Sequence, residues 1–182
     1  WRLQQITKGK WANPYDPSVR PRKWYTMAGM TVTRLHPENY NYTKMRSYYG
    51  EPVEPPNVPF EKAFDKITFR QNLEPDGGFM LLDGYSRGKH LHYDGNAIIR
   101  LTTDGEDWLI DGDYLVRNTT EHTMVSILRD GRCQRLIPVC TALEHAVDLE
   151  SAAFTQTAVY DYNGANWTRN IAWVPGEFVL VL

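Results

Sequence analysis

From Phe64 to its end the sequence predicts an all-β fold, an antiparallel β-sandwich of super-sandwich or jelly-roll type. Strand-like apolar runs alternate with turn signals at short spacing over this whole region. Asp104-Gly105, Asp130-Gly131 and Asn163-Gly164 each separate two such runs, and these dipeptides favour the positive-φ geometry of two-residue hairpins. Helical periodicity is confined to one short candidate, Leu143–Leu149. Successive hairpins without helices build a sandwich or a barrel.

The elements follow in order. Residues 1–29 hold Trp1, Trp11, Trp24, Pro14, Pro17 and Pro21 with little periodicity. They read as an extended lead segment lying over the surface of the domain that occupies residues 30–182. Met30–Leu35 reads as a strand. Residues 36–59 are rich in Tyr, Asn and Pro, and Glu51-Pro-Val-Glu-Pro-Pro56 blocks regular structure, so a long loop is expected. Lys66–Arg70 and Phe79–Asp83 are strands on either side of Glu74-Pro-Asp-Gly-Gly78. Asn96–Thr103 and Asp107–Asp111 form one hairpin, Thr123–Arg129 and Arg132–Val139 a second, and Ala153–Tyr162 and Trp167–Val174 a third. Pro175-Gly176 then leads into a final strand.

With 182 residues the chain is long enough for one sizeable domain. Its net charge of −2 offers no broad basic field for nucleic acid. No apolar run reaches the roughly 20 residues of a membrane-spanning helix. The chain opens on Trp1 rather than Met and closes on the strand-like Glu177–Leu182, which leads to the expectation of a fragment of a larger protein. Cys133 and Cys140 lie an odd number of residues apart in one strand-like run, which places them on opposite faces and predicts free thiols rather than a disulfide.

Chemistry concentrates in Gly84-Tyr-Ser-Arg-Gly-Lys-His-Leu-His-Tyr-Asp-Gly-Asn96. In an extended chain His90, His92 and Asp94 project to one face, and imidazoles beside a carboxylate are costly as core and useful as ligands or acid–base groups. Later candidates are Asp111, Asp113, His122 and His145. Two ligand sets stay open on spacing: His92 and Asp94 with a distant His, as in two-His-one-carboxylate iron sites, or His92, Asp111 and His122, one from each of three successive segments. In an acid–base reading, His90 works with Tyr93 or Tyr114 in an elimination, and Arg87 and Lys89 suit an anionic ligand. Gly84 followed by His90-Leu-His92 also matches the start of the first cupin motif. The Glu expected next is replaced around Asn96-Ala97, and the second motif is absent.

A broader match runs from Asp65 to the end: Asp65-Lys-Ile-Thr-Phe-Arg70, Leu81-Leu-Asp-Gly84, His90-Leu-His-Tyr-Asp-Gly-Asn96, Trp108-Leu-Ile-Asp-Gly-Asp-Tyr114, Glu121-His-Thr-Met-Val125 and Trp167-Thr-Arg169. In order and spacing these pieces resemble the C-terminal β-sandwich domain of the heparinase II/III-like polysaccharide lyases. The resemblance implies zinc on His92, Asp111 and His122, with Thr123 standing where the family has Asn. It also implies a place for His90 and Tyr114 at the catalytic cleft. Arg87 and Lys89 are the basic residues placed to meet an acidic polysaccharide. Family lyases carry an α/α-toroid domain before the sandwich, which supplies a catalytic Tyr and the group that neutralises the uronate carboxylate. No toroid can be read in residues 1–60, so the chain alone is expected to be inactive. The family works in the periplasm or as secreted protein, and the same is implied here. Two other readings remain: a non-catalytic carbohydrate-binding or structural module on the same fold, and a cupin-like metal-dependent enzyme using His92, Asp94 and a later His.

Overall fold

The computed structural model describes residues 28–40, 57–74, 76–86, 92–112, 119–133 and 137–182. Eleven strands run in chain order: β1 (Gly29–Arg34), β2 (Phe64–Arg70), β3 (Phe79–Asp83), β4 (Ile98–Thr103), β5 (Glu106–Ile110), β6 (Leu128–Arg129), β7 (Arg132–Cys133), β8 (Ala142–Asp148), β9 (Ala153–Tyr162), β10 (Ala165–Val174) and β11 (Phe178–Val181). One sheet has the order β1-β2-β3-β4-β5 and the other β11-β10-β9-β8, while β6 and β7 form a small separate ribbon. Every pairing is antiparallel. The fold is therefore the all-β sandwich that the hairpin pattern predicts.

The inward faces show why. Ile67 and Phe69 of β2, Met80 and Leu82 of β3, and Ile171 and Trp173 of β10 alternate with less buried neighbours and fill one core cluster, as period-two side chains must when one sheet face is covered. The Phe69 and Trp173 rings stack across the sheets at 5.7 Å. The turn dipeptides act as expected: Asp104, Asp130 and Asn163 and the glycines after them all have positive φ.

Three departures have physical causes. Leu143–Leu149, read as a helix, is strand β8 over nearly all its length, pairing with β9 from Ala142↔Ala158 to Asp148↔Ala153. A seven-residue helix is marginal alone, and the open edge of β9 outweighs the propensity of Leu, Glu and Ala. The hairpin around Asp130-Gly131 is only two residues deep on each side. Residues 119–127 instead form a 3-10 turn and an irregular segment, with Ile137 and Val139 buried outside any strand. In the expected loop 36–59, Pro37–Tyr40 forms one helical turn, α1, started by Pro at its first position and by the His36 carbonyl, which accepts from the amides of Asn39 and Tyr40. Most of the lead segment 1–29 lies outside the described residues. Cys140 is a buried free thiol, and burial pushes it up to about 12.

Candidate metal centre

The site gathers where three segments leave the first sheet at one end. The first is the connection from β3 to β4. Its described parts are Gly84–Ser86 and His92–Ala97; the second contains no strand, so the alternation argument does not apply to His92 and Asp94. A turn takes its place: the Ala97 amide donates to the Asp94 carbonyl, and Asn96 takes φ 70°. Backbone bonds Asp83 N to Ala97 O and Asn96 N to Asp83 O tie this turn to the end of β3. The Gly95 amide donates to Ser86 Oγ at 2.9 Å, and a Cβ on residue 95 would lie 2.2 Å from that oxygen, so only Gly fits.

The second segment is the exit from β5. The Asp111 amide donates to Ile99 O, extending the ladder by one residue and directing the carboxylate into the site. The third is the 3-10 turn Thr119–Glu121, which delivers His122.

These segments converge. Asp94, Asp111 and His122 each place a potential ligand atom within 4.8 Å of the others. His122 Nδ1 lies 3.0 Å from Asp111 Oδ1, and the two side chains are only 1% and 3% exposed. An Nδ1–H donated to Asp111 leaves the lone pair of neutral imidazole on Nε2. Among the described residues, His122 Nε2, Asp111 Oδ2 and Asp94 Oδ1 are buried without a hydrogen-bond partner. Three orphaned donor atoms of the right chemistry in one place fit a divalent cation, which supplies the partner each lacks. His92 stands at the margin, its ring centroid 6.1 Å from that of His122 and its Nδ1 3.8 Å from Asp94 Oδ2.

The electrostatics follow from burying several carboxyls together. Burial, helped by the charge of Asp83, pushes the Asp94 carboxyl up to about 7, against the opposing pull of His122. For His122 burial alone favours the neutral ring, but the hydrogen bond to Asp111 and the charges of Asp111 and Asp94 outweigh it and raise its affinity for a proton. Asp83 lies behind the turn. Burial raises its carboxyl too, despite Lys66 Nζ at 2.9 Å.

Support reaches the site from the opposite sheet. Arg169 of β10 is buried and shares its inward face with Ile171 and Trp173. Its guanidinium donates through Nη1 to the Asn96 carbonyl and through Nη2 to the Thr123 carbonyl at 3.0 Å. Thr157 Oγ1 of β9 donates to Asn96 Oδ1 at 2.6 Å. Thr123 donates its hydroxyl to Ile98 O, which braces the turn after His122 against β4. In the sequence Arg169 stands only as the last residue of Trp167-Thr-Arg169. The available signal was a lone charge at an inward strand position, which requires buried acceptors.

The structure brings Asp111 and His122 together with Asp94 and places His92 beside them. Arg87, Lys89, His90, Asp113 and Tyr114 lie outside the described residues. Tyr93 is buried in a cluster with Ile137, Val159 and Tyr162. His145 sits on an exposed position of β8, away from the first sheet. Of the cupin-like set, Asp94 is grouped with a later His, His122, and His92 Nδ1 stands 3.8 Å from Asp94 Oδ2, but Asp111 joins the group as well.

No protein-family model matches the sequence, and no curated protein matches it. Among solved structures the fold is similar to part of heparinase III, with a TM-score of 0.53 and 16% sequence identity. The match covers 72% of this chain and 23% of the heparinase III chain. It shows a distant likeness of fold to that part of heparinase III. None of the helices described is long and apolar enough to cross a membrane.

Proposed function

We propose that this chain is the β-sandwich portion of a polysaccharide lyase that cleaves a uronic-acid-containing polysaccharide by β-elimination, with zinc buttressing the cleft. The observation that carries the reading is the convergence of unpartnered Asp94 Oδ1, Asp111 Oδ2 and His122 Nε2 beside His92, on a fold similar to part of heparinase III. His92, Asp111 and His122 hold the ion, and Asp94 completes the donor set. Bound there, the ion neutralises the buried carboxylates and fixes the ends of the loops. The depth of the donors favours a supporting ion over a reacting one.

In β-elimination a base removes the proton beside the uronate carboxylate, the C–H electrons form a ring double bond, and the C–O bond to the leaving sugar breaks as that oxygen takes up a proton. The chain's contribution is His90 handling a proton, Tyr114 donating to the leaving oxygen, and Arg87 and Lys89 drawing in the acidic chain. The remaining machinery belongs to an α/α-toroid domain outside this chain, so residues 30–182 act as one domain of a longer periplasmic or secreted enzyme.

Two measurements test this. Elemental analysis of the purified chain is expected to find stoichiometric zinc, lost in His122→Ala together with thermal stability; no bound ion, or an unaltered melting temperature, refutes the metal assignment. The protein encoded by the full gene is expected to generate the ultraviolet absorbance of unsaturated uronates from at least one acidic polysaccharide, and to lose it in His90→Ala. Activity undiminished in that variant removes His90 from the mechanism, and silence on every acidic polysaccharide removes the lyase reading.

A further inference from the structure

At the end of the sandwich opposite the metal centre, a cleft of about 280 Å³ opens between β5 and the β10–β11 hairpin. Trp108, Trp173, Phe178, Gln71, Asp104 and Glu177 line it. Trp108 is 67% exposed, an unusual position for the largest apolar side chain. It is also held in place, because its Nε1–H donates to Thr103 Oγ1 at 2.8 Å. A platform fixed in advance loses little entropy on binding.

The inner wall is Trp173, which is 3% exposed and whose buried Nε1–H has no partner among the described residues. The floor is kept open by two glycines. A Cβ on Gly78 would sit 3.2 Å from the Trp173 ring, and one on Gly176 would sit 2.9 Å from Gln71 Nε2. Gln71 is itself fixed, since its Oε1 accepts from the Gly78 amide at 3.0 Å.

These features select a class of ligand. An exposed, immobilised indole offers a flat face for a ring with one apolar side. Asp104 and Glu177 on the rim accept hydrogen bonds from hydroxyl or ammonium groups. Two carboxylates, with no basic side chain among the described residues of the lining, repel an anionic ring, which turns the rim into a filter as well as a clamp. A pyranose meets the first two requirements, and only a non-acidic one meets the third. We propose that this cleft is a binding subsite for a non-acidic pyranose unit of a glycan, neutral or amino-substituted. The assignment does not depend on the metal centre, and its charge preference is opposite to that of a uronate-cleaving cleft.

The test titrates the full chain with short neutral gluco-, manno- and galacto-configured oligomers, a chitosan oligomer and an oligogalacturonate, followed by tryptophan fluorescence and calorimetry. At least one non-acidic oligomer is expected to bind and shift the emission, and the oligogalacturonate to bind at least about tenfold more weakly. Trp108→Ala is expected to weaken binding by about tenfold or more, and Glu177→Gln by several-fold. Because Trp108 is mostly exposed, its loss leaves the core and the bound ion intact, which elemental analysis of the variant checks. The proposal is overturned if no non-acidic oligomer binds, if Trp108→Ala binds as the parent does, or if the oligogalacturonate binds as tightly as the others.

Discussion

At the hairpin end, β4 passes to β5 and β10 to β11 through turns closed by their own residues, Asp104-Gly105 and Pro175-Gly176. At the metal end the first sheet runs into Asp94–Ala97, Asp111–Gly112 and Thr119–Thr123, whose short local turns are braced by further partners from the opposite sheet. The partners are distant in the chain: Arg169 is 73 residues from Asn96 and 46 from Thr123, and Thr157 is 61 from Asn96. The two ends lie roughly 17 Å apart along β4, at about 3.3 Å per residue. One end spends its polar groups on solvent and a rim. The other buries carboxylates and an imidazole on segments that the opposite sheet braces through Asn96 and Thr123.

That contrast breaks first if Arg169 is dispensable. Arg169→Met leaves the Asn96 and Thr123 carbonyls without their donor and is expected to cost about 2–4 kcal/mol. That corresponds to roughly 5–15 °C in melting temperature, with weaker ion binding; a variant melting with the parent would mean the sheets are not coupled through this residue.

The next effect concerns pH. The folded Asp94 carboxyl is raised to about 7, first by burial and then by Asp83, whereas an unfolded Asp titrates near 4. The folded protein therefore holds the extra proton between these values, so in chelator this carboxyl's contribution to stability is fully present below about pH 4 and is lost as pH rises to about 7. The loss is at most about 4 kcal/mol, from a shift of about three units. Denaturant titrations at pH 5 and pH 8 are expected to show that fall, reduced in Asp94→Asn and reduced by a bound divalent ion, which replaces the proton. An equal fall in parent and variant assigns the slope to other groups, Asp83 first.

The smallest effect belongs to the hairpin end. Gly105 has φ 78° with no neighbour closer than 3.9 Å to an added Cβ, so Gly105→Ala costs only backbone strain, about 1–2 kcal/mol. Ion content is expected to stay at the parent level; a loss would show that the two ends communicate.

The same contrast explains what the sequence reveals. The hairpin turns are legible because Asp-Gly and Asn-Gly state their own φ values. Phe79–Asp83 and Ala153–Tyr162 coincide with β3 and β9, since apolar character and β-branched residues agree there with the tertiary environment. Leu143–Leu149 misleads because β9 supplies the pairing its local composition does not announce. Around His92–Asn96, alternation is the wrong guide because Gly95 and Asn96 turn the chain. Asp94 reaches Asp111 and His122 through that turn, not through a shared strand face. The bridging role of Arg169 lies in contacts across the sandwich, which no window of neighbouring residues contains.

The Arg169 bridge also has a kinetic meaning. Its two bonds close chain loops of 73 and 46 residues, so they form only after both sheets have assembled and met. The pocket between Asp94, Asp111 and His122 is therefore completed late on the way to the native state. Interactions that are absent when the barrier is crossed slow unfolding and leave the folding rate nearly untouched. On the proposed metal reading, an ion held at Asp94, Asp111 and His122 would act as a latch on the closed sandwich, lengthening its lifetime without hastening its formation.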